Sequence, residues 1–317
     1  MKVFVTGGSG FVGGHVIEAL RAGHEVRAMA RSEASVRAVE ALGATAVGSS
    51  LDHVEAEHLA GCDAVVHAAA YVEDWGPEAA YERANVEGTR RILAAARAAE
   101  VRRFVHVSTN ATMFDGTAML GVDESRPYPA RSPFPYARTK VAAERLVLDS
   151  DAPGFSTVAL RPCFVWGPRD NTVLPTLRRV VAQGGFAWLD GGSARISTTH
   201  VANLVAGIAL ALASRSTGAY FVADEDDISV KEFFSGLAAA ANLRLPNRSI
   251  PGVVARTAAT ALDLAWRGLG RTTPPPLTPL AAELSSRDMT VRTAKIRAEL
   301  GWRPVVGRAE GLAALRE

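Results

Sequence analysis

Residues 2–13 read Lys-Val-Phe-Val-Thr-Gly-Gly-Ser-Gly-Phe-Val-Gly, an apolar strand that runs straight into glycines at 7, 10 and 13 and then into an apolar helix. This junction constrains the chain more than any other segment. Gly7 permits the tight turn, Gly10 lets a backbone approach a pyrophosphate, and Gly13 lets the helix pack closely on the strand. Phe11 and Val12 join these glycines at the helix N-terminus, whose free N–H groups then face the anion. Val12, Val16, Ile17 and Leu20 give the helix its buried face, and the next strand is expected at 25–30. The context is that of a dinucleotide site.

The tip of that second strand bears on which dinucleotide. An acid about twenty residues past the glycines would bind a ribose 2′-hydroxyl. The place holds Ala30, with Arg31 beside it. An arginine there suits a 2′-phosphate through a charge-assisted contact, so NADP(H) is favoured, with NAD(H) possible because Glu33 is within reach of the ribose.

The sequence has 317 residues, 48% of them hydrophobic and 21% charged, enough for a two-lobed enzyme with a substantial core. A net charge of +2 gives no electrostatic case for nucleic acid. Cys62 and Cys163 lie far apart without metal-ligand spacing, which predicts buried free thiols, no metal site and a cytoplasmic setting. With a strand opening at residue 2, no secretory leader is expected. The apolar windows at 202–213 and 253–269 do not read as membrane spans, the second being broken by Arg256, Asp263 and Arg267.

Strands at 3–6, 25–30, 45–48, 64–68, 104–108 and 157–161 alternate with helices at 11–22, 33–42, 78–99 and 136–149. That alternation predicts an α/β fold, a Rossmann-type doubly wound parallel sheet, with a smaller mixed α/β substrate lobe. Residues 1–165 form the dinucleotide-binding domain, which also receives strands from about 195–222 (195–198 and 219–222). Residues 166–194 and 223–317 form the lobe; in the later half of the chain helices are expected at 171–184, 201–213, 230–242 and 250–268, with a helical tail after Pro274-Pro275-Pro276.

A second constellation is Tyr136-Ala137-Arg138-Thr139-Lys140, preceded by Pro133 and Pro135. Prolines ending at 135 start a helix there, and a four-residue spacing puts phenol and ammonium on one face. With five tyrosines and four lysines in the chain, the pattern is rare by chance. A cation beside the phenol is expected to lower its pKa, fitting it to exchange a proton with an alcohol or carbonyl. Val107-Ser108-Thr109-Asn110 closes the fifth strand and offers a hydroxyl for the same oxygen. His106 is read as a core or crevice-wall residue on the face opposite Ser108, and His200 as a helix cap.

Together these motifs resemble the extended short-chain dehydrogenase/reductase family over nearly the whole chain. Thr6-Gly7-x-x-Gly10-x-x-Gly13, His67-Ala68-Ala69-Ala70, Asn85-Val86-Glu87-Gly88-Thr89, Tyr136 with Lys140, and Leu160-Arg161-Pro162 before Trp166-Gly167-Pro168 follow the family order. The resemblance implies Tyr136 as general acid/base, Lys140 on the nicotinamide ribose and Thr109 polarising the substrate oxygen. Counting back from Met113-Phe114 moves that hydroxyl position to Asn110, and Ser108 remains a fallback. The same resemblance places Ser50, Leu51, Ala68, Ala69, Ala70, Asn85, Val107, Ser108, Pro162 and Phe164 along the cofactor. Ser49-Ser50-Leu51 stands where the family has Gly-Asp-Leu, so an adenine contact differs.

Asp74-Trp75-Gly76, the 195–201 segment with Asn203, and the 294–304 tail are similar to the branch of 3β-hydroxysteroid dehydrogenases, dihydroflavonol reductases and 2-alkyl-3-oxoalkanoate reductases. This implies hydride exchange between a nicotinamide and a bulky hydrophobic ketone or secondary alcohol. The other reading is a nucleotide-sugar epimerase or dehydratase using bound NAD. Tyr71, Trp75, Asn110 and Trp166 are the expected substrate residues, with Phe186, Trp188 and the 250–266 segment also lining the pocket. The family further implies a homodimer through helices 78–99 and 136–149.

Overall fold

The computed structural model describes residues 1–170 and 172–316. Asn171, the first residue of the expected 171–184 helix, and Glu317 at the end of the tail lie outside the described residues.

Seven parallel strands form the main sheet in the order β12-β7-β5-β4-β1-β2-β3. These are β1 (Lys2–Thr6), β2 (Glu25–Ala30), β3 (Thr45–Gly48), β4 (Ala64–His67), β5 (Arg103–Val107), β7 (Ser156–Pro162) and β12 (Gly218–Val222). Val3, Phe4, Val5, Val65, Val66, Phe104, Val105 and Leu160 are buried on both faces, as a sheet covered by helices requires. The covering helices are α1 (Phe11–Leu20), α2 (Glu33–Ala41), α3 (Glu78–Tyr81), α4 (Gly88–Ala98), α5 (Pro135–Leu148) and α7 (Val201–Ala213). Neighbouring β1 and β4 lead their chains to opposite sides, so the crevice at their carboxyl ends is where ligands of such sheets bind.

The expected 78–99 helix is corrected: it runs as α3, a wide π-type turn over Glu82–Glu87, and α4. Asn85 sits in that wide turn, a placement typical of functional π-bulges.

The lobe departs further from expectation because its strands are too short to leave a pattern. β6 (Met119–Val122), β10 (Arg195–Ile196), β13 (Ile228–Ser229) and β15 (Met289–Val291) make a four-stranded sheet. β8 (Phe164–Trp166) pairs with β11 (Thr198–His200), and β9 (Trp188–Leu189) with β14 (Ser249–Ile250). The expected 195–198 strand is thus two strands, neither of them in the main sheet, while β12 does complete that sheet. The tail is not purely helical, since β15 lies between α10 (Pro279–Ser286) and α11 (Ala294–Leu300), followed by α12 (Arg308–Ala313). α6 (Val173–Ala182), α8 (Val230–Ala240) and α9 (Gly252–Gly268) complete the lobe.

Candidate active site

Gly7 turns the chain with φ +72°, a conformation other residues rarely adopt, and a Cβ there would lie 2.8 Å from the Ala69 nitrogen. A Cβ on Gly13 would meet the Gly7 carbonyl oxygen at 2.2 Å, so the helix can sit this close to the turn only without a side chain. At Gly10, the N-cap of α1, no side chain caps the helix. The first turn of α1, Phe11 to Gly13, therefore presents its N–H groups without a side-chain cap at the carboxyl end of β1. This open, positively polarised helix end, cradled by a turn no bulkier residue can form, fits a dinucleotide pyrophosphate.

The wall opposite is held by a buried network. Thr6 Oγ1 accepts from the Ala69 N–H at 3.2 Å and bonds His67 Nδ1 at 2.7 Å. His67 Nε2 bonds Thr89 Oγ1 at 3.0 Å, and Thr89 donates to the Asn85 carbonyl at 2.6 Å. Asn85 Oδ1 accepts from the Tyr71 N–H at 2.7 Å, while its Nδ2 donates to the Tyr71 carbonyl and to Thr139 Oγ1, both at 3.1 Å. Both N–H bonds of the Asn85 amide are spent, so its side chain ties the 68–71 loop to α5 rather than offering donors to a cofactor.

On α5, Tyr136 follows Pro135 in the first turn and Lys140 lies one turn on. The Lys140 ammonium is buried and donates to the Val107 carbonyl at 2.9 Å. Desolvation lowers its pKa to about 8, against the raising effect of Glu144 four residues further on. His106 Nε2 stands 3.5 Å from the same nitrogen. The expectation that His106 points away from Ser108 is corrected, because a period of two returns residues 106 and 108 to one face. His106 is a core residue, stacked 5.3 Å from His67, and burial holds both rings well below the usual histidine range.

The expected lowering of the Tyr136 pKa is also corrected. Burial raises it, and that effect outweighs the opposing influence of the Thr109 hydroxyl. The phenol therefore stays protonated at neutral pH and is poised as a donor. Thr109 is the half-buried N-cap of the 110–113 turn, its Oγ1 accepting from Ala111 N–H at 3.2 Å. Asn110 is half-buried beside it, within 3.5 Å of the Thr109 hydroxyl. Ser108 is buried with its hydroxyl unpartnered. Of the three, only the Thr109 hydroxyl influences the phenol's titration.

Behind Lys140, Glu144 is buried and takes three hydrogen bonds from the Arg161 guanidinium and one from the Tyr128 hydroxyl at 2.6 Å. Glu144 and Tyr128 are functional supports that sequence reasoning missed, although Glu144 repeats the four-residue spacing of Tyr136 and Lys140.

Elsewhere in the expected site, Ser50 and Leu51 are half-buried, with Leu51 packed on Gly88. Ala68, Ala69 and Ala70 line the crevice wall half-buried, and Val107 ends β5. Pro162 is buried at the end of β7, and the Phe164 ring packs edge-on to Phe233 and Phe234. Arg31 is exposed at the end of β2 and forms no ion pair among the described residues. Tyr71 is half-buried and stacks edge-on against Tyr81.

Trp166 is not a substrate residue. It is fully buried, wedged against His200 and Phe233, and its Nε1 donates to Asp224 at 2.9 Å. Asp224, which no sequence signal singled out, also accepts from Thr198 Oγ1, the His200 N–H and Asn203 Nδ2. His200 caps α7, as expected. Trp188 belongs to the lobe core. Trp75 is half-buried, donating to Asp263 at 2.5 Å under the Arg267 guanidinium. Cys62 and Cys163 are free and buried, and among the described residues no cluster of His, Cys, Asp or Glu could hold a metal ion.

A glycine cradle on a doubly wound sheet, with tyrosine and lysine on one helix beside a strand-end hydroxyl, defines a nucleotide-dependent oxidoreductase of the extended short-chain class. Residues 3–223 match the NAD dependent epimerase/dehydratase family, and the chain belongs to it. Over its full length the chain is 42% identical to a 4-hydroxy-2-methyl-3-oxo-4-farnesyl-3,4-dihydroquinoline-1-oxide ketoreductase of Stigmatella aurantiaca, covering 96% of that protein. It is 33% identical to a 2-alkyl-3-oxoalkanoate reductase of Stenotrophomonas maltophilia, covering all of this chain and 98% of the relative. The structure of MoeE5 in complex with UDP-glucuronic acid and NAD superposes with a TM-score of 0.75 at 25% identity, covering 99% of this chain and 97% of that one. The chain is an NAD(P)-dependent alcohol/ketone oxidoreductase. No helix among the described residues is long and apolar enough to cross a membrane.

Proposed function

We propose that this enzyme reduces a bulky, mostly hydrophobic ketone to a secondary alcohol with NADP(H). The observation that carries the substrate class is the fate of the cations a sugar diphosphate would need. Arg178 donates to the Ala241 carbonyl, Arg195 to the Asp227 carbonyl, and Arg256 to Ser286 beside Glu283. Each is tied to a different part of the lobe. The lobe core instead carries at its margin Phe164, Val173, Leu174 and Phe186, all partly open, as is Tyr136. Such lining with a few polar groups suits an apolar ligand, and the two curated relatives named above are reductases of keto compounds.

When bound, the nicotinamide supplies the hydride that reaches the carbonyl carbon. The α1 N-terminus, the 68–70 wall and Lys140 would hold the dinucleotide. Tyr136 gives its phenolic proton to the carbonyl oxygen, and Thr109 orients that oxygen. Lys140, charged below about pH 8, steadies the phenolate until a proton returns. Arg31 supports the 2′-phosphate, since Ala30 leaves the usual acid out and Glu33 turns along α2 to pair with Arg37 at 3.5 Å. The functional unit is a cytoplasmic homodimer through α4 and α5.

A ketone panel scored by NADPH consumption tests the reading, with UDP-sugars as competitors. Turnover of hydrophobic β-keto or steroid ketones, unaffected by UDP-sugars, is expected. Conversion of UDP-sugars without added cofactor would replace it with the epimerase or dehydratase reading.

A further inference from the structure

α9 inverts the usual order of a surface helix. Its buried face is made of the small residues Gly252, Ala255 and Ala259, with Leu262 and Trp266 half-buried, while Val253, Val254 and Leu264 point outward. Val253 is 61% exposed, Val254 56% and Leu264 67%. Going round the helix at 100° per residue, positions 253, 254, 257, 258, 261, 264, 265 and 268 share one face some 140° wide. Among them Thr257 alone is polar, and its hydroxyl is spent on the Val253 carbonyl at 2.9 Å. Asp263 and Arg267 lie off this face, paired with each other. The expectation that this segment lines the substrate pocket is therefore corrected for its outer face.

The segment that carries this face is basic in sequence, although Arg256 pairs with Glu283, Arg267 with Asp263, and Asp190 accepts from the Gly252 N–H. Arg244, Arg248, Arg256, Arg267 and Arg271 fall between residues 243 and 278, against the one acid Asp263, in a chain whose net charge is only +2. Arg248 precedes the helix and Arg271 follows it, both exposed. Two copies pairing along α9 would bring arginines together in either direction, since both ends are basic. Anionic lipid headgroups complement them, and an apolar face 17 residues long suits the boundary between headgroups and acyl chains.

We propose that α9 docks the enzyme on an anionic bilayer surface, lying in the interface without spanning it. The surface is argued from α9 alone; its use rests on the ketone-reductase reading. α9 holds the loop that leaves the nucleotide crevice, through Asp263 to Trp75, and nearby Thr278 donates to Asp74 at 2.9 Å. On that loop Val72 is 60% exposed. Docking there would bring the crevice mouth to the phase in which an apolar ketone dissolves.

Co-sedimentation of the full chain with phosphatidylcholine vesicles, with and without phosphatidylglycerol, tests this directly. The wild type should bind the phosphatidylglycerol vesicles, less so at high salt. The double variant Val254→Asp/Leu264→Asp and the double variant Arg248→Ser/Arg271→Ser should each lose about tenfold or more in binding. Both should keep wild-type circular dichroism and turnover of a short water-soluble ketone, so docking and catalysis fail separately. No binding by the wild type, or equal binding by both variants, would overturn the proposal. So would a Val254→Asp/Leu264→Asp chain that sediments as a smaller species where the wild type ignores vesicles, which would make the face a contact between copies.

Discussion

The nucleotide half and the C-terminal lobe are built on opposite economies of sequence. In the first, strands of four to seven residues bury continuous apolar runs, and one turn is dictated by glycines at which any added Cβ would crowd neighbouring backbone. In the second, strands of two to four residues are joined by single side chains that collect many bonds. Asp224 takes four hydrogen bonds, from β11, α7 and Trp166. The Asn203 carboxamide oxygen accepts from Val305 and Val306 N–H, pinning the tail against α7. The first half distributes its stability over area; the second concentrates it in a few polar hubs.

Removing a hub should break that contrast most visibly. Asp224→Ala leaves four buried donors unpaired and is expected to cost about 3–5 kcal/mol of unfolding free energy, read by urea denaturation. A loss below about 1 kcal/mol would mean that the lobe is held by area after all.

Lys140 offers a smaller effect in the first half, where a charge is buried for chemistry rather than stability. Its folded pKa of about 8 lies below its ordinary 10.5, so between these values the unfolded chain holds more protons. Unfolding free energy from this group therefore rises with pH across that window, and below about pH 8 the buried charge is a penalty. Relative to Lys140→Met, the wild type should gain up to about 3 kcal/mol from pH 8 to 10.5, read by denaturation at each pH. A difference independent of pH would show the ammonium to be solvated.

Arg31→Asp is the mildest change, because Arg31 is exposed. It should leave stability within about 0.5 kcal/mol and reverse the ratio of kcat/KM for NADPH over NADH. A wild type that used NADH at least as well as NADPH would remove Arg31 from the account.

What the sequence made legible divides along the same line. The main sheet, α1 and α5 were readable, because long periodic runs and fixed spacings carry them. The π-type turn at Asn85 was hidden in a run that scans as one helix. Trp166 was misplaced for a related reason, since an aromatic residue beside the Gly167-Pro168 turn fits a pocket or a core equally well until Asp224 is seen to hold the indole. Tyr136 shows the limit within a legible motif: spacing sets the lysine one turn from the tyrosine, but burial decides the direction of the phenol's pKa.

The central claim is that Tyr136 donates the proton in ketone reduction, and Tyr136→Phe tests it most directly because the ring and its packing remain. Turnover with NADPH and a hydrophobic ketone, measured beside NADPH affinity by fluorescence titration, should fall by about 10²–10⁴ with affinity nearly unchanged. Near-normal turnover at saturating ketone would contradict the account.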